Sequence, residues 1–229
     1  MTQHPRPFVI FLSGPTASGK TGLSLKLSED FPVEIVNADM GQFYTPFSIG
    51  TAKPDWQSQI VPHHLFDILD KPVDCNVKEY RRMLSQTIKE ISERGKIPLV
   101  VGGSLFYLKS LFYSPLEFVN KNKHENAVCL ESDVDLWTKL QDVDPERAKK
   151  LHPNDLYRIK RALTIWKETG IKPSECEAKF DAPFDFLFVF MDPNKEELFD
   201  RINKRTVEMF SKRVAPSWID EVKLLVGTE

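Results

Sequence analysis

Apolar positions along this chain follow two rhythms. Short runs with little or no polar alternation occur at Phe8–Leu12, Val33–Ala38, Ile97–Val101 and Phe186–Phe190. Runs of that length and kind predict strands, and Ile97–Val101, with no polar alternation, predicts one buried on both faces, as in a parallel sheet. Between them the period changes. Val77, Tyr80, Leu84, Ile88 and Ile91 form a helical stripe that Gly95 ends, and Leu105 to Phe112 forms a further apolar helix. Leu156, Ile159, Leu163 and Trp166 form another stripe, with Pro153, Asn154 and Asp155 as its start signal. A last helix begins near Lys195 and carries Arg201 and Arg205 one turn apart on one face. Strands alternating with helices predict an α/β protein whose parallel sheet is flanked by helices. The alternation breaks between Ser114 and Pro183, where polar Asn120–Asn126 is followed by an acidic stretch and then a basic one. The chain therefore divides into a discontinuous core, 1–114 with 184–229, and a small helical insertion domain, 115–183.

The first strand leads into Gly14, Pro15, Thr16, Ala17, Ser18, Gly19, Lys20 and Thr21, which fit the phosphate-loop pattern G-x-x-x-x-G-K-[ST]. Strand, glycine-rich turn and helix in that order is the context the motif requires. Backbone N–H groups turned inward and a helix N-terminus make a cradle for an anion. Lys20 can reach a phosphate oxygen, and the Thr21 hydroxyl can sit on Mg²⁺. The fold class is thus P-loop NTPase-like, with ATP as the default guest and a small-molecule or nucleotide kinase as one reading. Against that reading, the Ile97–Val101 strand ends in Gly102-Gly103-Ser104 instead of the carboxylate that ordinarily holds Mg²⁺. Asp39, just past the second strand, is the better-placed acid, although an aspartate there is also a common turn or helix cap. Arg201 and Arg205 suit a phosphate clamp or, equally, ion pairs with Glu197 or Asp200.

Composition narrows the picture further. With 229 residues, 41% hydrophobic and 28% charged, the chain is an ordinary globular one, and a net charge of −2 gives no overall attraction to nucleic acid. Basic charge is nevertheless concentrated: Arg147 to Lys167 holds seven Lys or Arg against the single acid Asp155. That segment is either a solvated helical surface or a contact for a phosphate backbone. Cys75, Cys129 and Cys176 are odd in number and far apart, which points to a reducing compartment and away from a disulfide framework. His63 and His64 have no carboxylate spaced to complete a zinc site and read as structural or as polar loop contacts in preference to ligands. The N-terminal apolar run feeds the phosphate loop, and no run approaches membrane-spanning length. The expectation is a soluble, cytoplasmic monomer with no membrane partner.

Taken together, GPTASGKT, the Asn37-Ala38-Asp39 and Gln42-Phe43-Tyr44 segments, Ile49–Pro54, Pro62–Leu65, Gly102–Leu108, His152–Asp155 with Arg161-Ala162-Leu163, and Arg201, Arg205 and Met209 resemble the tRNA dimethylallyltransferase family. The similarity runs from Phe8 to about Met209. The resemblance implies transfer of a dimethylallyl group from dimethylallyl diphosphate to N6 of the adenosine 3′-adjacent to the anticodon (position 37 of the tRNA), in tRNAs reading codons that begin with U. It implies that the phosphate loop holds the diphosphate, with Mg²⁺ as cofactor and Thr21 as its protein ligand. Asp39 then matches the general base. Ser104, where the family usually has Thr, lies near both substrates, and Arg205 matches a diphosphate-binding arginine. Asp39, Met40, Gly41, Gln42, Ser104 and the segment Tyr157, Arg158, Ile159, Lys160 and Arg161 match positions that contact the tRNA anticodon stem-loop. The chain departs from the family in Met40-Gly41, where Ser-x is usual, and in a shorter insert. The family's later Gly-Tyr and Arg-Gln-rich segment has no counterpart up to Glu229, which leaves a catalytically impaired tRNA-binding relative as a further alternative.

Overall fold

The structure is a computed structural model that describes residues 6–71, 73, 75–113, 136–176, 179–211 and 216–226. The polar stretch Asn120–Asn126, Cys129 and the first part of the acidic run lie outside the described residues. Two compact units are present: 1–112 with 181–229, and 113–180.

The first unit is built on five parallel strands: β1 (Phe8–Ser13), β2 (Val33–Asn37), β3 (His63–His64), β4 (Ile97–Val101) and β5 (Asp185–Phe190), in the order β3-β2-β4-β1-β5. The apolar runs of β2 and β4 mark where the sheet is covered on both sides. All five residues of β2 are buried, as are Pro98, Leu99 and Val100 of β4. β5 is an edge strand and stays half-exposed, its Phe186 and Phe188 joining Phe11, Phe112 and Phe184 in an aromatic cluster with ring centroids 4.9–6.4 Å apart. Aromatic packing of this kind adds about 0.5–1.5 kcal/mol per pair beyond simple burial. That is how an exposed edge of Phe residues is still held.

Helices α1 (Lys20–Asp30), α2 (Val77–Glu93), α3 (Leu105–Phe112), α7 (Lys195–Phe210) and α8 (Trp218–Val226) complete this unit. α2 follows the predicted stripe: Tyr80, Leu84, Ile88 and Ile91 are buried, and Asn76 caps it by accepting the Glu79 N–H. The histidine pair has a structural role. His63 Nδ1 lies 2.8 Å from the Val61 carbonyl, and His64 Nε2 lies 2.7 Å from Oε2 of buried Glu34. Burial alone would raise the Glu34 carboxyl, but hydrogen bonds from Arg94 and His64 and their charges outweigh it and hold the group below the usual carboxylate range.

The second unit contains α4 (Leu136–Val143), α5 (Pro145–Ala148) and α6 (Leu156–Thr169). Leu136, Leu140, Ala148, Ile159, Ala162 and Leu163 form its core. Asp144, fully buried, caps α5 through the Arg147 N–H at 3.0 Å and also accepts the Ser174 N–H at 2.9 Å. Burial would raise its carboxyl, yet the hydrogen bonds from Ser174 and Arg147 and the nearby Lys172 charge leave it lowered. Among the described residues of both units, no helix is long and apolar enough to cross a membrane.

Candidate active site

The register of the sheet decides which residues meet. Because Leu12 pairs with Val101, Asn37 with Val101 and Ser13 with Phe190, the carboxyl ends of β1, β2, β4 and β5 finish side by side. Four backbone bonds continue past those ends: Ala38 N–H to the Val101 oxygen at 2.8 Å, Gly102 N–H to Leu12 at 3.2 Å, Met191 N–H to Ser13 at 2.8 Å and Ser104 N–H to Ala38 at 3.3 Å. The phosphate loop, Asp39 and the Gly102–Ser104 turn therefore lie together at one rim, the usual binding crevice of open α/β sheets.

Each turn at the rim is made possible by a residue without a side chain. Gly14 has φ of 152°, and a Cβ there would lie 2.7 Å from the Met191 carbonyl oxygen. Gly102 passes so close to β2 that a Cβ would lie 2.8 Å from the Ala38 Cα. Any larger residue at either point would push adjacent strands apart.

Within the phosphate loop, Lys20 Nζ donates to the carbonyl oxygens of Gly14 and Pro15 at 3.0 and 2.7 Å. Ser18 Oγ is buried and has no hydrogen-bond partner among the described residues. Thr16 and Thr21 are exposed, and Pro15 and Ala17 are half-buried, Ala17 with φ of 59°. The Lys20 ammonium is pulled down from the ordinary lysine range first by burial. Asp39 opposes that shift and Arg205 adds to it. Lys20 thus feels both an acid beyond β2 and an arginine on α7, which brings three sequence-predicted residues into one electrostatic cluster. Arg201, by contrast, donates to Glu197 at 3.3 Å. The two arginines of α7 thus differ: the charge of Arg205 acts on Lys20, while Arg201 pairs along its own helix.

Asp39 is a cap as well as a member of that cluster. It opens a short 3₁₀ turn, Met40–Phe43, with Oδ1 accepting the Gly41 N–H at 3.1 Å. Asn37 fixes its backbone, accepting the Asp39 N–H at 2.9 Å and donating Nδ2 to the Asp39 and Leu65 oxygens at 3.1 and 2.9 Å. The cap leaves lone pairs of the half-buried carboxylate for another donor. Ser104 Oγ lies 3.4 Å from the Met40 N–H, so the serine borders the same turn. Gln42 Nε2 donates to the Thr51 oxygen at 3.2 Å.

The segment Tyr157–Arg161 belongs to the second unit. Tyr157 is 81% exposed, and Arg158 and Arg161 are exposed, Arg158 donating to Asp155 at 2.9 Å. Lys160 is half-buried. Ile159 corrects the expectation for this segment. It is fully buried and anchors the unit's core, because it is the inward position of the helical stripe. Some structural ties escaped the sequence. Asn37 sits at the end of an apolar run, and its ties to the Asp39 backbone and Leu65 have no local signal. Lys53, whose buried amine pairs with Asp67 and donates to Tyr44 O at 2.8 Å, reads as a loop lysine. Glu221 gives no signal except a preceding Ser217-x-x-Asp220 capping pattern.

The residues fit a magnesium ion in one particular way. Mg²⁺ is ordinarily held by few protein oxygens together with those of a phosphate substrate and water. Thr21 is exposed next to the phosphate loop, whose buried Ser18 hydroxyl has no hydrogen-bond partner among the described residues.

A parallel sheet with a phosphate loop at its carboxyl rim defines the P-loop NTPase-like class. Within that class, the family model described as IPP transferase matches residues 42–229. The tRNA dimethylallyltransferase of Pseudothermotoga lettingae is 39% identical over 95% of this chain and 70% of that protein. The tRNA dimethylallyltransferase of Geobacter sulfurreducens is 38% identical over 96% and 72%. Among solved structures, a eukaryotic dimethylallyltransferase acting on tRNA matches with a TM-score of 0.80 at 32% identity, covering 96% of this chain and 56% of that one. The tRNA delta(2)-isopentenylpyrophosphate transferase of Staphylococcus epidermidis matches with a TM-score of 0.59 at 31% identity, over 96% and 74%. The chain spans just over half of the eukaryotic protein and about 70% of the bacterial ones. It belongs to the IPP transferase family.

Proposed function

We propose that this chain transfers a dimethylallyl group from dimethylallyl diphosphate to N6 of the adenosine 3′-adjacent to the anticodon, in tRNAs reading codons that begin with U. The observation that carries the reading is the sheet rim, where strand register brings the phosphate loop, Asp39 and the Gly102–Ser104 turn together, with Lys20 in the field of Asp39 and Arg205. Cationic groups and an acid within one another's field suit a reaction that expels an anion while a proton is removed.

In the proposed reaction the N6 lone pair attacks the allylic carbon. A C–N bond forms, the C–O bond to diphosphate breaks, and the bond's electron pair leaves with the diphosphate. The phosphate-loop N–H groups, Lys20, Arg205 and the Ser18 hydroxyl receive the leaving oxygens, where negative charge accumulates. Mg²⁺, when held by Thr21 and the diphosphate, adds charge stabilisation to that side. Asp39 accepts the N6 proton; its cap to Gly41 fixes the carboxylate so that a lone pair stays available. Ser104, which borders the Met40 N–H, orients the acceptor base in this proposal. The base is stacked in its RNA loop and must be turned out to be reached, which costs about a few kcal/mol. The exposed Tyr157, Arg158 and Arg161 of the helical unit supply grip on the stem-loop.

The test is to incubate the protein with dimethylallyl diphosphate, Mg²⁺ and an anticodon stem-loop carrying adenosine at that position, then identify the nucleoside formed. N6-prenylated adenosine is the expected product. ATP turnover on a small acceptor, with no prenyl product, would overturn the reading.

A further inference from the structure

We infer that Glu221 is a positioning residue for the acceptor side of the site, holding the loop that supports Gln42 and the turn opened by Asp39. The inference rests on the function proposed above. α8 begins with a reciprocal cap, in which Ser217 N–H and Oγ donate to Asp220 Oδ2 at 2.9 and 2.7 Å. The cap fixes the first turn and so the direction of the next side chain, Glu221, which is 8% exposed. Its Oε2 accepts the N–H groups of Ser48 and Ile49 at 2.8 and 2.7 Å, and its Oε1 accepts that of Gly50 at 3.1 Å. Three consecutive loop amides thus converge on one carboxylate from a helix more than 170 residues later. Such charge-assisted bonds are roughly twice as strong as neutral ones.

Contacts on either side make the arrangement specific. Trp218 packs over Gly50 so tightly that a Cβ there would lie 2.9 Å from the indole Cε2. From Gly50 the chain passes to Thr51, whose carbonyl receives Gln42 Nε2 at 3.2 Å. The Thr51 methyl lies 2.8 Å from where a Gly41 Cβ would be. Restraint therefore runs from Glu221 through Ser48–Gly50 and Thr51 to Gln42 and Gly41, and Gly41 is the residue whose N–H Asp39 caps. Glu221 touches no reacting atom on this path. The phosphate loop is outside it, so the two sides of the site should respond differently when it is cut.

The experiment compares wild type with Glu221→Ala, Glu221→Gln and Gly50→Ala. It measures kcat, the KM for dimethylallyl diphosphate, the Kd for the stem-loop and amide exchange at 48–50. Glu221→Ala is expected to lower kcat about tenfold or more, the order of loss that a displaced site causes. It should also weaken stem-loop binding and speed exchange at those amides, leaving the diphosphate KM within about twofold. Glu221→Gln keeps one acceptor oxygen and should restore part of the loss, and Gly50→Ala should reproduce the split without altering the carboxylate. The inference is overturned by Glu221 variants that match wild type. It is also overturned by losses that appear equally in the diphosphate KM, the mark of general unfolding. A wild type without transfer activity would sink the proposed reaction instead, and the positioning claim would then be decided by stem-loop affinity and amide exchange.

Discussion

The sheet rim and the helical unit use charge in opposite ways. At the rim, Lys20 and Asp39 are partly buried and held by carbonyl contacts and a cap, with half-buried Arg205 of α7 within the field of Lys20. On α6, Tyr157, Arg158 and Arg161 stand in solvent around a small apolar core, and Arg158 is engaged with the neighbouring Asp155. The first arrangement fixes distances, as bond-making requires. The second supplies a field without fixed geometry, which suits a phosphate backbone whose recognition depends on charge and shape. The difference teaches that the two regions should fail separately: rim substitutions in rate, helical-unit substitutions in affinity.

The sharpest way to break that comparison is at Asp39. Asp39→Asn keeps an oxygen for the Gly41 cap but removes the base, and should lower transfer by about 10²–10⁴-fold, read from single-turnover rates. Lys20→Ala should follow, with a loss of about 10²–10³-fold and weaker diphosphate binding, because it removes a charge from the leaving-group side. Unchanged diphosphate affinity would remove Lys20 from that role.

A smaller effect belongs to the scaffold of the helical unit. Asp144→Asn should destabilise it by about 1–3 kcal/mol, since a buried acceptor of two backbone N–H groups is impaired, and thermal melts would show this. The sign of the pH dependence follows from the direction of the Asp144 shift. Its folded-state carboxyl is lowered, so its contribution is fully present above the unfolded value of about 3.9 and is lost as pH falls through the folded one. Stability in Asp144→Asn should therefore be flatter than wild type below about pH 4. The smallest change is expected at the exposed arginines. Replacing Arg158 and Arg161 by Gln should weaken stem-loop binding in a salt-dependent way, the log–log slope falling by about 0.7–0.9 for each phosphate no longer neutralised. An unchanged slope would return α6 to being only a solvated surface.

Much of the rim could be read in the sequence, because strands, phosphate loop and Asp39 are local patterns and parallel topology brings their carboxyl ends together. The division of labour between Arg201 and Arg205 could not. One turn of helix places both on the same face, and only packing decides which one meets Glu197 and which one influences Lys20. Glu221 was hidden for a related reason. Its partners are backbone N–H groups more than 170 residues away, and an amide carries no sequence signature. In the helical unit the stripe identified Ile159 and Leu163 as core, and Ile159 shows the limit of carrying a whole segment over as a binding face. A residue inside a basic segment can resemble part of a binding face while its position in the helical period sends it inward.

The separation of rate from affinity is tested most directly by one crossed measurement: single-turnover transfer at saturating stem-loop, and stem-loop affinity, on both Asp39→Asn and the Arg158/Arg161 double variant. The account predicts that Asp39→Asn loses rate with affinity nearly intact, and that the double variant loses affinity with its saturated rate intact. A fully active Asp39→Asn, or two variants that lose rate and affinity alike, would contradict it.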